Sequence, residues 1–388
     1  MRKLHALFAG SGGFYDAIVP TSVQERGLRA AKNKIRDHLL RGISMASTEE
    51  LGLPEKVSPR FRTQGSWAYR ACVQPAQAGQ EMDWDYGVYL PVEAWEEAST
   101  PRVAASVYFN LVERLLAELC EREGWHLDEK KREHCIRVRI RQGAHIDVAL
   151  YAAPTDKFLD VNDRRVEFAD MQKAVNAAWD SRDLLAEAYE IEPEQDWDDF
   201  DDMMVATRNG QWERSDAEAI AHWFRDQADT QGDQLRRTWR YLKAWRDLQW
   251  ATGGPSSVLL MLAATRHFQK WQGRDDRALA DVVQAIAGVV LQDYVEDGID
   301  PGHNFNRMDP EARLTTHHRL TQLAMTLREA MTQPGVDKAT VLANLRRQFG
   351  ARLPHHESDI VEDHPADRVR STPAREVVAP KINSTYAG

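Results

Sequence analysis

Two aspartates one residue apart, Asp83 and Asp85, stand inside an apolar run, Met82-Asp83-Trp84-Asp85-Tyr86. In a strand, side chains at i and i+2 leave the same face, so the two carboxylates stand side by side while Met82, Trp84 and Tyr86 take the other face. Two bare carboxylates that close repel, and one must hold a proton unless a cation lies between them. A divalent cation removes that penalty. Two such ions about 3.5–4 Å apart, bridged by the pair, form a clamp for in-line phosphoryl displacement. Eighteen residues before Asp83 comes Gly65-Ser66, preceded by Gln64. A Gly-Ser turn between strand and helix presents free backbone N–H groups, the glycine admits a phosphate closely, and the serine hydroxyl adds a donor. A third carboxylate is then expected on a neighbouring strand. Asp147 lies between Ile146 and Val148, whose side chains point to the opposite face. It suits the ligand shell of one metal ion and the role of general base on an attacking hydroxyl. Taken singly, a pair of aspartates two apart reads equally as surface coincidence, and Asp147 as a strand-end residue bonded to a turn.

These residues require a small sheet with supporting helices. Ser22–Leu40 carries Val23, Leu28, Ile35 and Leu39 on a helical period and predicts a long amphipathic helix. A strand is expected in RFRTQGS over 60–66, and another inside Glu81–Leu90. Residues 103–123 predict an amphipathic helix, Cys135–Arg141 alternates apolar residues with arginine as a half-buried strand does, and His145–Tyr151 forms a further strand ended by Pro154. From about residue 168 only helical periods appear, over 170–189, 216–228, 233–250, 256–272, 276–293, 310–332 and 337–349. Glu190–Asp202 holds eight acidic residues in thirteen and reads as a solvated loop. The fold class is therefore α+β: a mixed lobe over 1–165, a helical lobe over 166–351, and a flexible tail over 352–388, too poor in aromatics to fold alone.

Composition narrows the function. The chain has 388 residues, 43% hydrophobic and 28% charged, with a net charge of −10. Gripping duplex nucleic acid normally needs a basic surface, so that class is disfavoured. The longest apolar runs fall far short of a membrane span, and the first residues lack the apolar core of a secretory signal. Cys72, Cys120 and Cys135 form no CxxC pair, which fits a reducing compartment and a cytoplasmic location. Gly10-Ser11-Gly12-Gly13 is no P-loop because no Gly-Lys-Ser/Thr follows, and the histidine pairs at 317–318 and 355–356 lack zinc spacing.

Gly65-Ser66, Asp83-x-Asp85 and Asp147 together resemble the DNA polymerase β-like nucleotidyltransferase superfamily. The strings TQGSWAYR and GQEMDWDYGVYLP resemble most the bacterial cGAS/DncV-like nucleotidyltransferases, in their DncV-like branch. The resemblance implies a nucleotidyltransferase lobe, a small mixed sheet with a long spine helix, packed against a helical lobe with a cleft between them. It implies a cyclic di- or trinucleotide synthase using ATP, with GTP as the expected second substrate, and two Mg2+ ions, with Mn2+ able to substitute. The product would be a second messenger in antiphage (CBASS) defence, received by a downstream effector. Carried over residue by residue, Asp83, Asp85 and Asp147 bind metal and catalyse. Gln64, Gly65 and Ser66 hold nucleotide, Lys243 and Ser257 hold the donor triphosphate, and Tyr69 stacks on a base. Asn304, in the loop Gly298–Arg307, reads a base edge, a capping role for Asn304 or Asn306 being equally open. Arg137, Arg139 and Arg141 share a strand face beside Asp147 and reach either phosphate or neighbouring acids. The C-terminal Gly388 resembles tails joined to targets by E1-like and E2-like partners, although any chain can end in glycine. Two other classes stay open: a linear nucleotidyl- or adenylyl-transferase acting on RNA or protein, and a non-catalytic nucleotide-binding scaffold.

Overall fold

The computed structural model describes residues 1–92, 103–141, 143–154, 203–215, 217–296 and 303–362. In chain order the elements are β1 (Arg2–Lys3), α1 (His5–Ala9), α2 (Phe14–Ile18), α3 (Ser22–Ala46), β2 (Arg60–Gln64), α4 (Gly65–Ala68), β3 (Met82–Val92), α5 (Ala105–Glu123), β4 (His126–Leu127), β5 (Ile136–Arg141), β6 (Ala144–Pro154), β7 (Met204–Ala206) and β8 (Trp212–Arg214). The helices α6 (Ala217–Gln231), α7 (Asp233–Gln249), α8 (Ser257–His267), α9 (Asp275–Val289), α10 (Pro310–Thr332) and α11 (Lys338–Phe349) follow, and β9 (Val361–Glu362) comes last.

The spine helix α3 starts where its chemistry says it should. Thr21 accepts from the Gln24 backbone N–H at 3.2 Å and the Gln24 side chain accepts from the Thr21 N–H at 2.7 Å, a reciprocal capping box. Leu28, Ala31, Ile35, Leu39 and Ile43 line its buried stripe, which continues past Leu40 to Ala46. The stripe packs with α5 on one face of a sheet ordered β2-β3-β6-β5-β4, with β7 beside β6 and β8 beside β7. β3 and β6 run parallel, and every other neighbouring pair in this sheet is antiparallel. Met82, Trp84, Tyr86, Val88, Ile146, Val148, Ile136 and Val138 fill the core under α3 and α5, so the alternate residues of β3, β5 and β6 face the other way.

A second core unites α6 through α11 with residues from both ends of the described chain. Here the sequence boundaries need correction. Leu4, Leu7, Phe8, Phe14 and Ile18 belong to this helical core rather than to the 1–165 lobe, with Phe14 stacked on Tyr241 at 5.9 Å. In the other direction, β7 and β8 lie beyond residue 166 yet extend the sheet, three-residue strands too short to show a period. The start of the expected tail, 352–362, is ordered against the helical lobe. Leu353 and Ile360 are fully buried, and β9 pairs antiparallel with β1. The expected helix at 170–189, the acidic run, and the tail with Gly388 lie outside the described residues.

The two lobes meet through the loop between α4 and β3. Gln77 Nε2 donates to the Asp247 and Leu248 carbonyls at 2.9 and 2.8 Å, and Gln80 Nε2 to those of Asp247 and Trp250 at 2.7 and 3.0 Å. These are carbonyls at the end of α7 that no helical N–H can reach. Arg352 bridges the same joint, donating to the Gln74 and Ala244 carbonyls at 2.9 Å each.

Two fully buried aspartates fix the helical lobe from within. Asp276 accepts from the Leu4 backbone at 2.9 Å and pairs with Arg274. Asp275 accepts from Arg237, Gln234 and Tyr241. Burial alone would raise the Asp275 carboxyl, but those bonds outweigh it and hold the group below its ordinary value. Asp275→Asn is therefore expected to cost about 3 kcal/mol at neutral pH, since Arg237 is left without its charge partner. A carboxyl with a lowered folded-state pKa stabilises above the unfolded value and loses that contribution as pH falls through the folded one. The stability gap between wild type and variant, measured by urea unfolding across pH, should thus close as pH drops below about 4.

Candidate active site

The face of β3, β5 and β6 turned away from α3 carries the polar residues. Asp83 and Asp85 stand two apart on β3, and Asp147 on β6 is the register partner of Asp85. Adjacent strands lie about 4.8 Å apart, so the third carboxylate is beside the first two, as the sequence required. Burial, then Asp83, then Asp147 push the Asp85 carboxyl up to about 8, against the opposing pull of Lys243 and Arg137. That is the condition of a carboxylate group short of positive charge.

Gly65 closes one side. It opens α4 with φ +58°, and a Cβ there would fall 1.9 Å from Asp85 Oδ2. Only glycine fits both the left-handed backbone and the space against the carboxylate. The Ser66 hydroxyl is buried, with the Cys72 thiol as its polar neighbour. Trp67 stacks on Trp84 at 4.4 Å and donates Nε1–H to the Asp83 carbonyl at 2.7 Å, which ties α4 to the DxD strand. From the helical lobe, α7 contributes Lys243, a buried side chain whose charge reaches Asp85.

Other expected residues sit differently. Tyr69 is 6% exposed and packs in the helical core, its ring tilted against Phe224 at 5.0 Å and edge-on to Trp239 at 6.4 Å, so protein rings surround it where the expectation put a base. The apolar spacing of α4 carries the chain into that core. The Gln64 amide is also taken: Nε2 donates to the Tyr89 hydroxyl at 2.7 Å and Oε1 accepts from Tyr151 at 3.2 Å. Asn304 closes its own loop, Oδ1 accepting from the Val295 and Asn306 N–H groups and Nδ2 donating to the Asp293 carbonyl, all within 3.0 Å. Its amide thus has the capping role rather than the base-reading one, and Asn306 does the same for the Val290 and Gln292 carbonyls. At the start of α8 the cap is Ser256, which accepts from Leu259 N–H at 3.1 Å, and Ser257 is the first helical residue, on the helix packed against that of Lys243.

Asp147 is already engaged within the protein. Arg137, its register partner on β5, donates Nε to Oδ1 at 2.7 Å and Nη2 to Oδ2 at 2.6 Å. The bidentate pair occupies both oxygens, and among the described residues no three His, Cys, Asp or Glu side chains converge as a metal set. The donor chemistry still fits a divalent cation: Asp83 and Asp85 are oxygen ligands of the kind such ions take, on a patch short of positive charge. Arg139 pairs instead with Glu81 at 2.6 Å and Asp128 at 3.4 Å. Sequence reasoning overlooked Glu81 and His145, which are bonded to each other at 2.8 Å. The two-residue period that picked out Asp83, Asp85 and Asp147 reaches both, since Glu81 precedes Asp83 by two and His145 precedes Asp147 by two.

The chain is similar to proteins of one family along most of its length. The family described as "Cyclic GMP-AMP synthase DncV-like, nucleotidyltransferase domain" matches residues 59–151, and "Cyclic GMP-AMP synthase, C-terminal domain" matches residues 232–362. A cyclic GMP-AMP synthase of Vibrio cholerae serotype O1 is 37% identical over 335 residues, 80% of this chain and 71% of that protein. One of Escherichia coli strain TW11681 is 30% identical over 344 residues, 85% of this chain and 76% of that protein. The crystal structure of Vibrio cholerae DncV cyclic AMP-GMP synthase with nonhydrolyzable GTP superposes with a TM-score of 0.72 over 94% of this chain and 100% of that one, at 22% identity, a likeness of fold. With the mixed sheet, the spine helix and the helical lobe all in place, the chain belongs to the DncV-like nucleotidyltransferase family.

Proposed function

We propose that the protein is a cyclic oligonucleotide synthase joining ATP and GTP into a cyclic di- or trinucleotide second messenger. The observation that carries this reading is the placement of Asp147 directly opposite Asp85 on the parallel strand, with Gly65 against that carboxylate and the Lys243 charge within its reach. The 37% and 30% identical relatives are named as cyclic GMP-AMP synthases, which supports the same choice of substrates.

The residues divide the work. The free backbone of the Gly65-Ser66 turn and the Ser66 hydroxyl receive phosphate oxygens, with Lys243 and Ser257 on the far side. Asp83, Asp85 and, once released from Arg137, Asp147 would hold two Mg2+ ions, or Mn2+ in their place, which supply neutralisation of the charge developing on the reacting phosphate. The ribose hydroxyl of one nucleotide attacks the α-phosphorus of the other, pyrophosphate leaves, and Asp147 takes the hydroxyl proton. Repeating the step within the linear product closes the ring. Catalysis rests on alignment and charge, since the protein forms no bond to the nucleotide.

The signal serves antiphage (CBASS) defence through an effector, a reading supported by the sequence resemblance alone. Among the described residues no helix is long and apolar enough to cross a membrane.

The test is incubation of the purified chain with Mg2+ and labelled ATP, GTP, CTP and UTP, followed by phosphatase and mass spectrometry. A phosphatase-resistant cyclic product containing adenine and guanine is expected. A phosphatase-sensitive ladder would replace the reading by a linear transferase, and nucleotide binding without turnover by a scaffold.

A further inference from the structure

Past Asp85 and Asp147 the same face of β3 and β6 carries a pair of tyrosines that the reading above does not use. Tyr89 and Tyr151 are register partners, each four residues along its strand from an aspartate, and both are buried. Their rings stack at 4.8 Å with 12° between the planes. Between the aspartates and the tyrosines this face of the two strands carries only Gly87 and Ala149, themselves register partners. A Cβ on Gly87 would fall 2.7 Å from a Tyr89 ring carbon, 2.9 Å from its hydroxyl and 3.0 Å from Gln64 Nε2. The missing side chain lets the phenol lie back along its own strand, hydroxyl toward the aspartates.

Both hydroxyls meet at Gln64, a buried residue that is the register partner of Asp85 on β2 and the last one before Gly65. Gln64 Nε2 donates to the Tyr89 hydroxyl at 2.7 Å, and the Tyr151 hydroxyl donates to Gln64 Oε1 at 3.2 Å. One end of an amide donates and the other accepts, so the two phenols hold it in a single orientation. Gln64 also stands at the cap position of α4, where a side chain ordinarily accepts from the first N–H groups of the helix. It makes no such bond here. Its side chain serves the tyrosines and does not compete for the N–H groups that a phosphate needs.

We propose that Gln64 is a positioning residue: gripped by Tyr89 and Tyr151, it fixes where the Gly65-Ser66 turn stands against Asp85 and leaves that turn's backbone to the donor phosphates. The inference rests on the cyclase reading and gives Gln64 a role other than direct contact with nucleotide. Tyr89 and Tyr151 act only through Gln64, and Gly87 supplies the room for Tyr89. Because the turn starts at the next residue, any tilt of Gln64 carries the cradle with it. A displacement of about 1 Å at a reacting centre costs about 10²-fold in rate.

The test is a double-mutant cycle on kcat and KM, with equilibrium binding of a nonhydrolysable ATP analogue measured alongside. Tyr89→Phe and Tyr151→Phe keep the stacked rings and remove only the hydroxyls. Each is expected to lower kcat about 5- to 10-fold, with KM and analogue affinity within about twofold of wild type, since Lys243 and Ser257 still hold the triphosphate. Gln64→Met keeps the length of the side chain, loses both hydrogen bonds and should lower kcat about 30-fold. Placed in the Gln64→Met background, either tyrosine change should cost nothing further in kcat, the mark of residues that act through one amide. A packing role alone would leave kcat at the wild-type value in both phenylalanine variants. That result would overturn the inference and leave the cyclase reading standing. So would equal losses of analogue binding and turnover in Gln64→Met, which make Gln64 a nucleotide ligand, or tyrosine effects of the same size in both backgrounds. Should Gln64→Met not fold, kcat in the two single phenylalanine variants decides. A wild-type protein that forms no product would overturn both readings.

Discussion

Exchanging Asp83 and Asp85 together for asparagine is expected to cut product formation by about three orders of magnitude or more while the chain still folds. Asparagine keeps the shape and one oxygen of each side chain but carries no charge, so neither position can neutralise a divalent cation. The size of the loss follows from how these enzymes work: removing even one pre-aligned electrostatic contact to a reacting centre costs about 10²–10³-fold. The fold should survive because Met82, Trp84 and Tyr86 carry the packing, and they lie on the other face. With burial and Asp83 both pushing Asp85 upward, the charged pair opposes folding in the metal-free protein. The double variant should therefore melt no lower than wild type. Cyclic product at an undiminished rate would remove these two residues from the chemistry, whereas a midpoint several degrees lower would show that they are structural.

Gly65→Ala should rank second. The substitution meets two separate obstacles, a backbone at φ +58° and a Cβ 1.9 Å from Asp85 Oδ2 and 2.8 Å from its Cγ. The first costs about 1 kcal/mol of stability. The second forces the carboxylate aside, and a displacement of about 1 Å at a reacting centre costs about 10²-fold in rate. Gly79→Ala separates the two contributions, since Gly79 has φ +87° with nothing within 4 Å of its added carbon. Comparable melting shifts in both variants, with turnover lost only at Gly65, is the expected pattern. Equal turnover in the two would mean that the turn does not gauge the position of Asp85.

Much of this site was legible because a strand has a period of two. That period alone places Asp83 beside Asp85 and buries Trp84, and it turns Asp147 to the same face once the strands are side by side. What it does not contain is which strands are neighbours, so the pairing of Asp147 with Asp85 needed the sheet, and the clamp of Arg137 on Asp147 needed the register of β5. Tyr69 and Asn304 raise a different question. A tyrosine after a phosphate turn and an asparagine in a surface loop have the right chemistry for a base, but whether they are already engaged depends on tertiary neighbours, Phe224 and Trp239 for one and Val295 and Asp293 for the other. The first twenty residues hid their destination because short helices such as α1 and α2 display too few turns for a buried stripe to be recognised.

The glutamine bonds across the joint bear on how the enzyme meets its substrates. Gln77 and Gln80 take hold of the end of the very helix that presents Lys243, and Arg352 pins a carbonyl one residue beyond it. A wide swing of one half against the other would strip several main-chain oxygens of their partners at once. The spacing of the two halves is accordingly held by hydrogen bonds that any hinge motion would first have to break.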